Sequence, residues 1–179
     1  VSAVFERQSD DIAAEASAGF DILVDSNATN PATTETLVAL PEIDDASPIM
    51  RVWGDVLHNG NVDGVPVTGI DDRFLAHGGP SLSAWSDNYA DGDAVFAAIV
   101  AGEPVAVIGE FLFDDDSGGP GNPGLGDTLR IVDPAVEGTA TDVTVVGVLS
   151  NDWMWNGVVT GRGVVTGVFD DAVDSRHYA

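Results

Sequence analysis

The strongest constraint on the fold lies between Pro104 and Leu149, where three short β-type runs are separated by turn residues. The runs are Val105–Gly109, Thr128–Val132 and Val143–Leu149, and the first two are joined by Asp114–Gly126, which is rich in aspartate, glycine and proline. Short runs rich in Val and Ile, bounded by Gly, Pro and Asp, are typical of β-strands. The segment therefore predicts a sheet, with Asp114–Gly126 as a surface loop inside the same domain.

Helical and strand patterns are mixed along the rest of the chain. Helices are predicted at Phe5–Ala18, after Thr33 or Thr34 as far as Pro41, at Asp71–His77 and at Asp93–Ala101. Strands are predicted at Phe20–Ser26 and Pro48–Gly54, and Val56–Asn61 with Gly64–Ile70 is expected to form one or two more, with an Asn59-Gly60 turn. Ser81–Gly92 is predicted as a polar connector. This order predicts an α+β fold, a two-layer mixed sheet with short helices.

The last part of the chain contains one pentapeptide twice, at Gly157–Gly161 and Gly163–Gly167. Two copies of five residues are too few for a solenoid, so we predict a β-hairpin or adjacent strand segments. No linker divides the chain cleanly, and 179 residues fit one domain or two closely joined subdomains. We expect a single domain over 1–179, with a helical lead-in at 1–18, a core at 19–149 and C-terminal strands at 150–179.

Charge narrows the possible partners and environment. Thirty acidic residues face six basic ones, a net charge of -24, with no lysine and with the acids spread along the whole chain. A coat of carboxylates suits molar salt, where the Debye length is about 3 Å and self-repulsion is screened. We therefore predict a halophilic, archaeal protein, the alternative being an ordinary acidic one. Nucleic acid is excluded as a partner, because phosphate binding needs clustered Lys and Arg.

The chain has no cysteine, so disulfides and thiolate metal sites are not available. Its longest apolar run, Ala94–Ala101, is far shorter than the roughly 20 residues that cross a bilayer, and no signal peptide opens the sequence. The abrupt ends are those expected of a domain excised from a longer protein.

Two patterns, one rich in glycine and one acidic, contain the residue types of ligand-binding motifs but not their sequence context. Gly119–Gly124 matches G-x-G-x-x-G, but it contains two prolines, follows three aspartates and precedes no helix, which argues against a dinucleotide. Asp114–Asp116 with Asp127 could gather oxygen ligands for Ca²⁺ or Mg²⁺, although the spacing is not that of an EF-hand. A solvated acidic loop is the simpler interpretation, and whether it binds a cation stays open.

Catalytic patterns are equally unspecific. The histidines are His58, His77 and His177, none at metal-ligand spacing, and each is expected at the surface or in a turn. No G-x-S-x-G elbow accompanies His77-Gly-Gly79, and aspartates are too abundant for a carboxylate pair to be informative. We assign no catalytic, cofactor-binding or metal-binding residue. Trp153-Met-Trp155 is expected to complete the core or a subdomain seam, the alternative being a lipid, peptide or protein contact.

An ordered series of phrases resembles the extracytoplasmic core domain of MacB/FtsX-type ABC transporter permeases. The phrases run from Ala18 to Leu149 in the family's order and are FDILV at Phe20–Val24, LVALPEIDDASP at Leu37–Pro48, VTGIDDRF at Val67–Phe74, PVAVIG at Pro104–Gly109, LGDTLRI at Leu125–Ile131 and TVVGVL at Thr144–Leu149. The resemblance implies a MacB-like periplasmic core domain on the extracellular face of the cell membrane, between two spans of a permease.

The resemblance also implies a function without catalysis. Such a domain would recognise cargo or an extracellular partner protein and transmit motion driven by a separate cytoplasmic ATP-binding subunit. The alternative is a secreted halophilic hydrolase or solute-binding module. The permease hypothesis expects Val1 and Ala179 to emerge on the same side of the fold, whereas the alternative expects a concave pocket with convergent polar groups.

Overall fold

The computed structural model describes residues 22–25, 32–76, 79–109, 123–150, 155–170 and 174–178. The strands are β1 (Leu23–Asp25), β2 (Ser47–His58), β3 (Asn61–Ile70), β4 (Leu82–Trp85), β5 (Val105–Ile108), β6 (Thr128–Val132), β7 (Ala140–Leu149), β8 (Val158–Gly161) and β9 (Asp174–Tyr178). The helices are α1 (Thr34–Leu37), α2 (Asp72–Leu75), α3 (Gly92–Val100) and α4 (Arg162–Val168). The α+β class with a mixed sheet and short helices is confirmed, and the predicted helix at Phe5–Ala18 lies outside the described residues.

Local chemistry sets several boundaries as the sequence predicts. Asn59 (φ 49°) and Gly60 (φ 86°) both take the left-handed conformation that a tight two-residue hairpin turn requires. Thr33 caps α1 by accepting from the Thr36 N–H, and Asp91 caps α3 through the Ala94 N–H at 2.9 Å. Gly102 (φ 84°) follows the end of α3.

The hairpin of β2 and β3 differs from the prediction in one respect. Pairing runs without a break from Met50↔Gly69 to His58↔Asn61, so the predicted strand at Val56–Asn61 is the continuation of β2. Gly54 lies within β2 and does not end it. Its lack of a side chain makes room for the ring of Phe169, which would lie 2.7 Å from an added Cβ.

Strand pairing closes part of the sheet into a ring of six strands. The order around the ring is β2, β3, β8, β5, β7 and β6, and β6 pairs with both β7 and β2 to complete it. Strand β4 extends the sheet from β7, while β9 and then β1 extend it from β2. The ring has an inner face and an outer face, and each ring strand alternates between them.

The inner face of the ring is a closed apolar core. Each strand contributes at least one buried residue, among them Met50, Val67, Ile108, Leu129, Val145 and Val158. Helix α4 adds Val165 and Val168, which are spaced three apart and therefore lie on one face of the helix. Side chains fill the interior of the ring, and helix α4 packs against them.

Helices α2 and α3 cover part of the outer face. Val95, Phe96 and Ile99 of α3 pack in one core with Val107 and Val159 from the outer face of the ring. Phe74 of α2 meets Trp155 edge to face, with ring centroids 5.0 Å apart and an interplanar angle of 69°. This layer makes β5, β8 and part of β7 buried on both sides.

Two predictions about the secondary structure are wrong. Leu82–Trp85 lies inside the predicted polar connector Ser81–Gly92 but forms β4, paired with the end of β7. The two pentapeptide copies were expected to share a β conformation, yet Gly157–Gly161 enters strand β8 whereas Gly163–Gly167 lies in helix α4. The first copy pairs with β3 on one side and β5 on the other. The second buries Val165 but leaves Thr166 and Gly167 exposed, which suits a helix.

Candidate partner-binding surface

His58 is the one histidine whose side chain the structure describes, and the prediction that it lies at the surface or in a turn is wrong. It ends β2 on the inner side, is 7% exposed, and its Nε2 lies 3.2 Å from Asp127 Oδ2. Asp127 also accepts from the Gly124 N–H at 2.8 Å. His58 therefore ties the loop before β6 to the tip of the β2–β3 hairpin.

The other ligand-type candidates fall mainly outside the described residues. Asp114–Asp116, His77 and most of Gly119–Gly124 lie there, and for His177 the structure gives only the backbone position, opposite Val24 and Pro48. Over the part of the chain that is described, no group of three or more His, Asp or Glu side chains is arranged to hold a metal ion. The cation hypothesis for the Asp114–Asp116 loop stays a prediction.

The structure describes one residue of the Trp153-Met-Trp155 cluster, Trp155. Trp155 is 2% exposed and packs against Phe74, so it completes the core, as the sequence predicts. Trp153 and Met154 lie outside the described residues. Within those residues no helix combines the length and the apolar character that a membrane crossing requires.

Another part of the outer face carries the most exposed tryptophan among the described residues. Trp53 on β2 is 65% exposed, and Val62 on β3 is 55% exposed. Trp53 pairs with Pro66, Asp55 with Gly64 and Leu57 with Val62, and these six residues share the outward side of the hairpin. We call this surface the Trp53 face.

Gly64 shapes the Trp53 face. A Cβ added at Gly64 would lie 3.0 Å from the indole Nε1 of Trp53 and 3.7 Å from Asp55 Oδ1. The indole therefore lies across β3 at the glycine, with a carboxylate oxygen beside it, and a larger residue at this position would displace the ring. The glycine thus permits a flat aromatic surface next to a negative charge.

The Trp53 face continues from β2 onto β6. Asp55 pairs with Val132, and Leu57 pairs with Arg130, whose guanidinium makes an exposed ion pair at 3.2 Å with Asp142 of β7. Sequence reasoning did not single out this surface. Alternation along β2 places Trp53 with Arg51 and Asp55, on the side opposite the buried Met50 and Val56, and this was the available signal.

The chain enters and leaves the described fold at neighbouring positions. Leu23 at the start of β1 pairs with Tyr178 at the end of β9, and Tyr178 also pairs with Ser47 at the start of β2. Because β1 and β9 are antiparallel, the segments before residue 23 and after residue 178 leave from the same end of the strand pair. β9 lies between β1 and β2, so the segment after residue 178 continues a strand that pairs with β2, and the segment before residue 23 reaches β2 through β1 and β9.

Comparison with known proteins agrees with this architecture. A sequence model of the family described as MacB-like periplasmic core domain matches residues 2–172. The periplasmic region of MacB from Actinobacillus actinomycetemcomitans superposes with a TM-score of 0.55 at 14% identity, covering 87% of this chain and 72% of that one. The extracellular domain of the ABC-type transporter YknZ from Gram-positive bacteria gives 0.55 at 12% identity, covering 88% and 81%. No sequence among the curated proteins matches the chain significantly.

The family match spans nearly the whole chain, and the two structural likenesses show the same fold. They leave the alternative of a secreted hydrolase or solute-binding module without support. Domains of this family are external parts of ABC transporter permeases and are generally not catalytic. The chain belongs to the MacB-like periplasmic core domain family.

Proposed function

We propose that this domain stands outside the cell membrane on two membrane-anchored segments, recognises cargo or a partner protein, and transmits motion driven by a cytoplasmic ATP-binding subunit. The observation that supports the proposal is the pairing of Leu23 with Tyr178 and of Tyr178 with Ser47. Segment 1–18 is proposed as the lead-in from one span, and the end of segment 150–179, after β8 and α4 have joined the ring, as the return toward the next span.

The strand arrangement offers a physical route for that motion. β2 has 12 residues and is about 40 Å long at roughly 3.3 Å per residue. Its first residues, Ser47–Met50, pair with β9, and its last residue adjoins the Asn59-Gly60 turn. A displacement of the membrane-side segments would therefore act through β9 on one end of a continuous strand and move the hairpin tip at the other end.

The test uses the full-length permease with its ATP-binding subunit in proteoliposomes. The 179 residues contain no cysteine, so in a permease whose other segments are also free of cysteine, Asn59→Cys places one spin label at the hairpin tip. We expect nucleotide to change the distance between this label and gadolinium-labelled lipid headgroups, because the tip moves relative to the membrane. Asn59→Cys with Gly138→Cys is the control pair, since both positions are turns of the closed ring and should keep their separation.

Unchanged distances from Asn59 to the lipid headgroups across the nucleotide-free, ATP-bound and hydrolysed states would contradict the transmission of motion. The location is tested separately with a membrane-impermeant maleimide on intact cells. Asn59→Cys should react from outside, whereas a cysteine on the ATP-binding subunit should react only after lysis. The reverse pattern would contradict the external location.

We further propose that the domain works at high salt, as in a halophilic archaeon. Among the acidic side chains that the structure describes, Asp133 alone is buried, and it is satisfied by the Ala135 N–H at 2.8 Å. The remaining carboxylates repel one another at the surface unless salt screens them.

A further inference from the structure

The Trp53 face combines three features that suit one kind of ligand. The indole is 65% exposed, Gly64 lets it lie across β3, and Asp55 Oδ1 lies within 4 Å of the same point above Gly64. An aromatic face attracts a Lys or Arg cation placed within about 6 Å of the ring, and a carboxylate beside it adds a charge-assisted hydrogen bond. Asp55 makes no ion pair with any residue in the described ranges.

The apolar surroundings complete the match. Val62 is 55% exposed, and two partly buried residues flank it and the indole: Leu57, which pairs with Val62, and Pro66, which pairs with Trp53. Long Lys and Arg side chains bury their methylene stems on apolar surface while the charged end reaches a polar group. Val62, Leu57 and Pro66 can receive such stems while Trp53 and Asp55 receive the charge.

Charge decides among the possible occupants of this face. A second copy of the chain could bring few cations to Asp55, because the chain has no lysine and only six arginines. An anionic lipid surface would bring no cation to this carboxylate. Salt screens the net charge of -24 at long range but not two charges in direct contact, so a basic segment of a different protein is attracted by Asp55 itself.

We propose that the Trp53 face is the docking site for an arginine- or lysine-bearing segment of a partner protein, held by cation–π contact with Trp53 and by the Asp55 carboxylate. The inference rests on the proposed function, since it names the surface and the chemistry by which the external domain recognises its partner. Trp53, Asp55 and Val62 form the contact, and Gly64 sets its shape.

The test is a selection from a random nine-residue peptide library against the 179-residue chain, followed by affinity measurement of the selected peptides by fluorescence anisotropy. We expect Arg or Lys next to aliphatic residues to be enriched. Trp53→Ser should weaken binding roughly 3- to 30-fold, the range that a cation–π contact corresponds to, and Asp55→Arg by at least as much. Trp85→Ser and Asp87→Arg remove an exposed tryptophan and reverse an exposed aspartate elsewhere, and should leave binding unchanged.

Several results would overturn the proposal. Enrichment of acidic or uncharged peptides would do so, as would equal binding by Trp53→Ser and the unsubstituted chain. A dimer in sedimentation that Trp53→Ser abolishes would assign the face to self-association, and Trp53-dependent binding to phosphatidylglycerol vesicles would assign it to lipid. Circular dichroism checks that each variant is folded, and Val62→Ser serves as a second variant if Trp53→Ser is not.

Failure here is distinguishable from failure of the proposed function. If the nucleotide-dependent distances from Asn59 to the lipid headgroups persist while the Trp53 and Asp55 variants bind like the unsubstituted chain, the docking assignment alone is wrong. If the peptides bind as expected but nucleotide moves nothing, the transmission of motion is wrong and the binding face remains.

Discussion

The two pentapeptide copies should respond to the same substitution with opposite signs. Gly161 and Gly167 end the first and the second copy, respectively. A Cβ at Gly161 would lie 2.5 Å from the carbonyl oxygen of Ile99, which is backbone and cannot rotate away. A Cβ at Gly167 meets nothing within 4 Å outside its own helix. Gly161→Ala should therefore destabilise the domain, and Gly167→Ala should stabilise it.

The magnitudes follow from the two environments. Replacing Gly by Ala inside a helix contributes about 0.5–1 kcal/mol, because alanine loses less backbone entropy on folding. Forcing an extra methyl group into a packed contact costs typically 1–3 kcal/mol. At about 2–4 °C per kcal/mol for a chain of this size, Gly167→Ala should raise Tm by about 1–4 °C and Gly161→Ala should lower it by about 2–12 °C.

The assay is thermal unfolding followed by circular dichroism at fixed high salt. Gly138→Ala separates backbone strain from steric overlap, because Gly138 has φ 95° but open space around it, so it should cost roughly 1–2 kcal/mol without a clash. Gly157→Ala combines both, with φ 103° and a Cβ 2.0 Å from the Pro66 carbonyl oxygen, and should be the most damaging. Shifts of the same sign at Gly161 and Gly167 would refute the assignment of strand to one copy and helix to the other.

Three further outcomes are expected. Trp155→Ala should lower the free energy of unfolding by about 3–5 kcal/mol, because it empties a buried site against Phe74. Trp53→Ala should change the free energy of unfolding by less than about 0.5 kcal/mol, because Trp53 is exposed. Both values are measured by denaturant titration, and equal losses would contradict the difference in burial. The unfolding midpoint should rise steeply with salt, and a flat dependence would contradict the halophilic proposal. Burial raises the pKa of Asp71 above its usual 3.8. The stability of the unsubstituted chain relative to Asp71→Asn should therefore be highest below pH 3.8 and should fall as the pH rises through the raised pKa. A stability difference that does not depend on pH would contradict this prediction.

Features fixed by neighbouring residues could be predicted from the sequence. The Asn59-Gly60 turn, the Asp71 cap of α2 and the glycine after α3 each depend on the conformational preference of one or two residues. The strands between Pro104 and Leu149 were equally predictable, since buried Val and Ile between turn residues have few other solutions.

Features fixed by distant partners could not be predicted. Two copies of Val-Val-Thr differ only in what surrounds them, because β3 and β5 pair with the first copy and the ring interior receives Val165 of the second. The burial of His58 could not be predicted, since its side-chain partner Asp127 lies 69 positions later in the sequence. Closure of the ring depends on β6 pairing with both β2 and β7, a relation that no local pattern contains.

The topology joins the two proposals through one strand, because β2 carries Trp53 and Asp55 and pairs with β9 at its other end. If the strand transmits motion, binding at the Trp53 face and nucleotide binding at the ATP-binding subunit must be coupled, and such coupling is reciprocal. We expect a selected basic peptide to change nucleotide affinity in the full transporter by the same factor by which nucleotide changes peptide affinity, typically about 5- to 150-fold for coupled sites. Trp53→Ser should remove the effect of the peptide, whereas Trp85→Ser should preserve it. Independent affinities, with both sites occupied, would mean that β2 does not connect them.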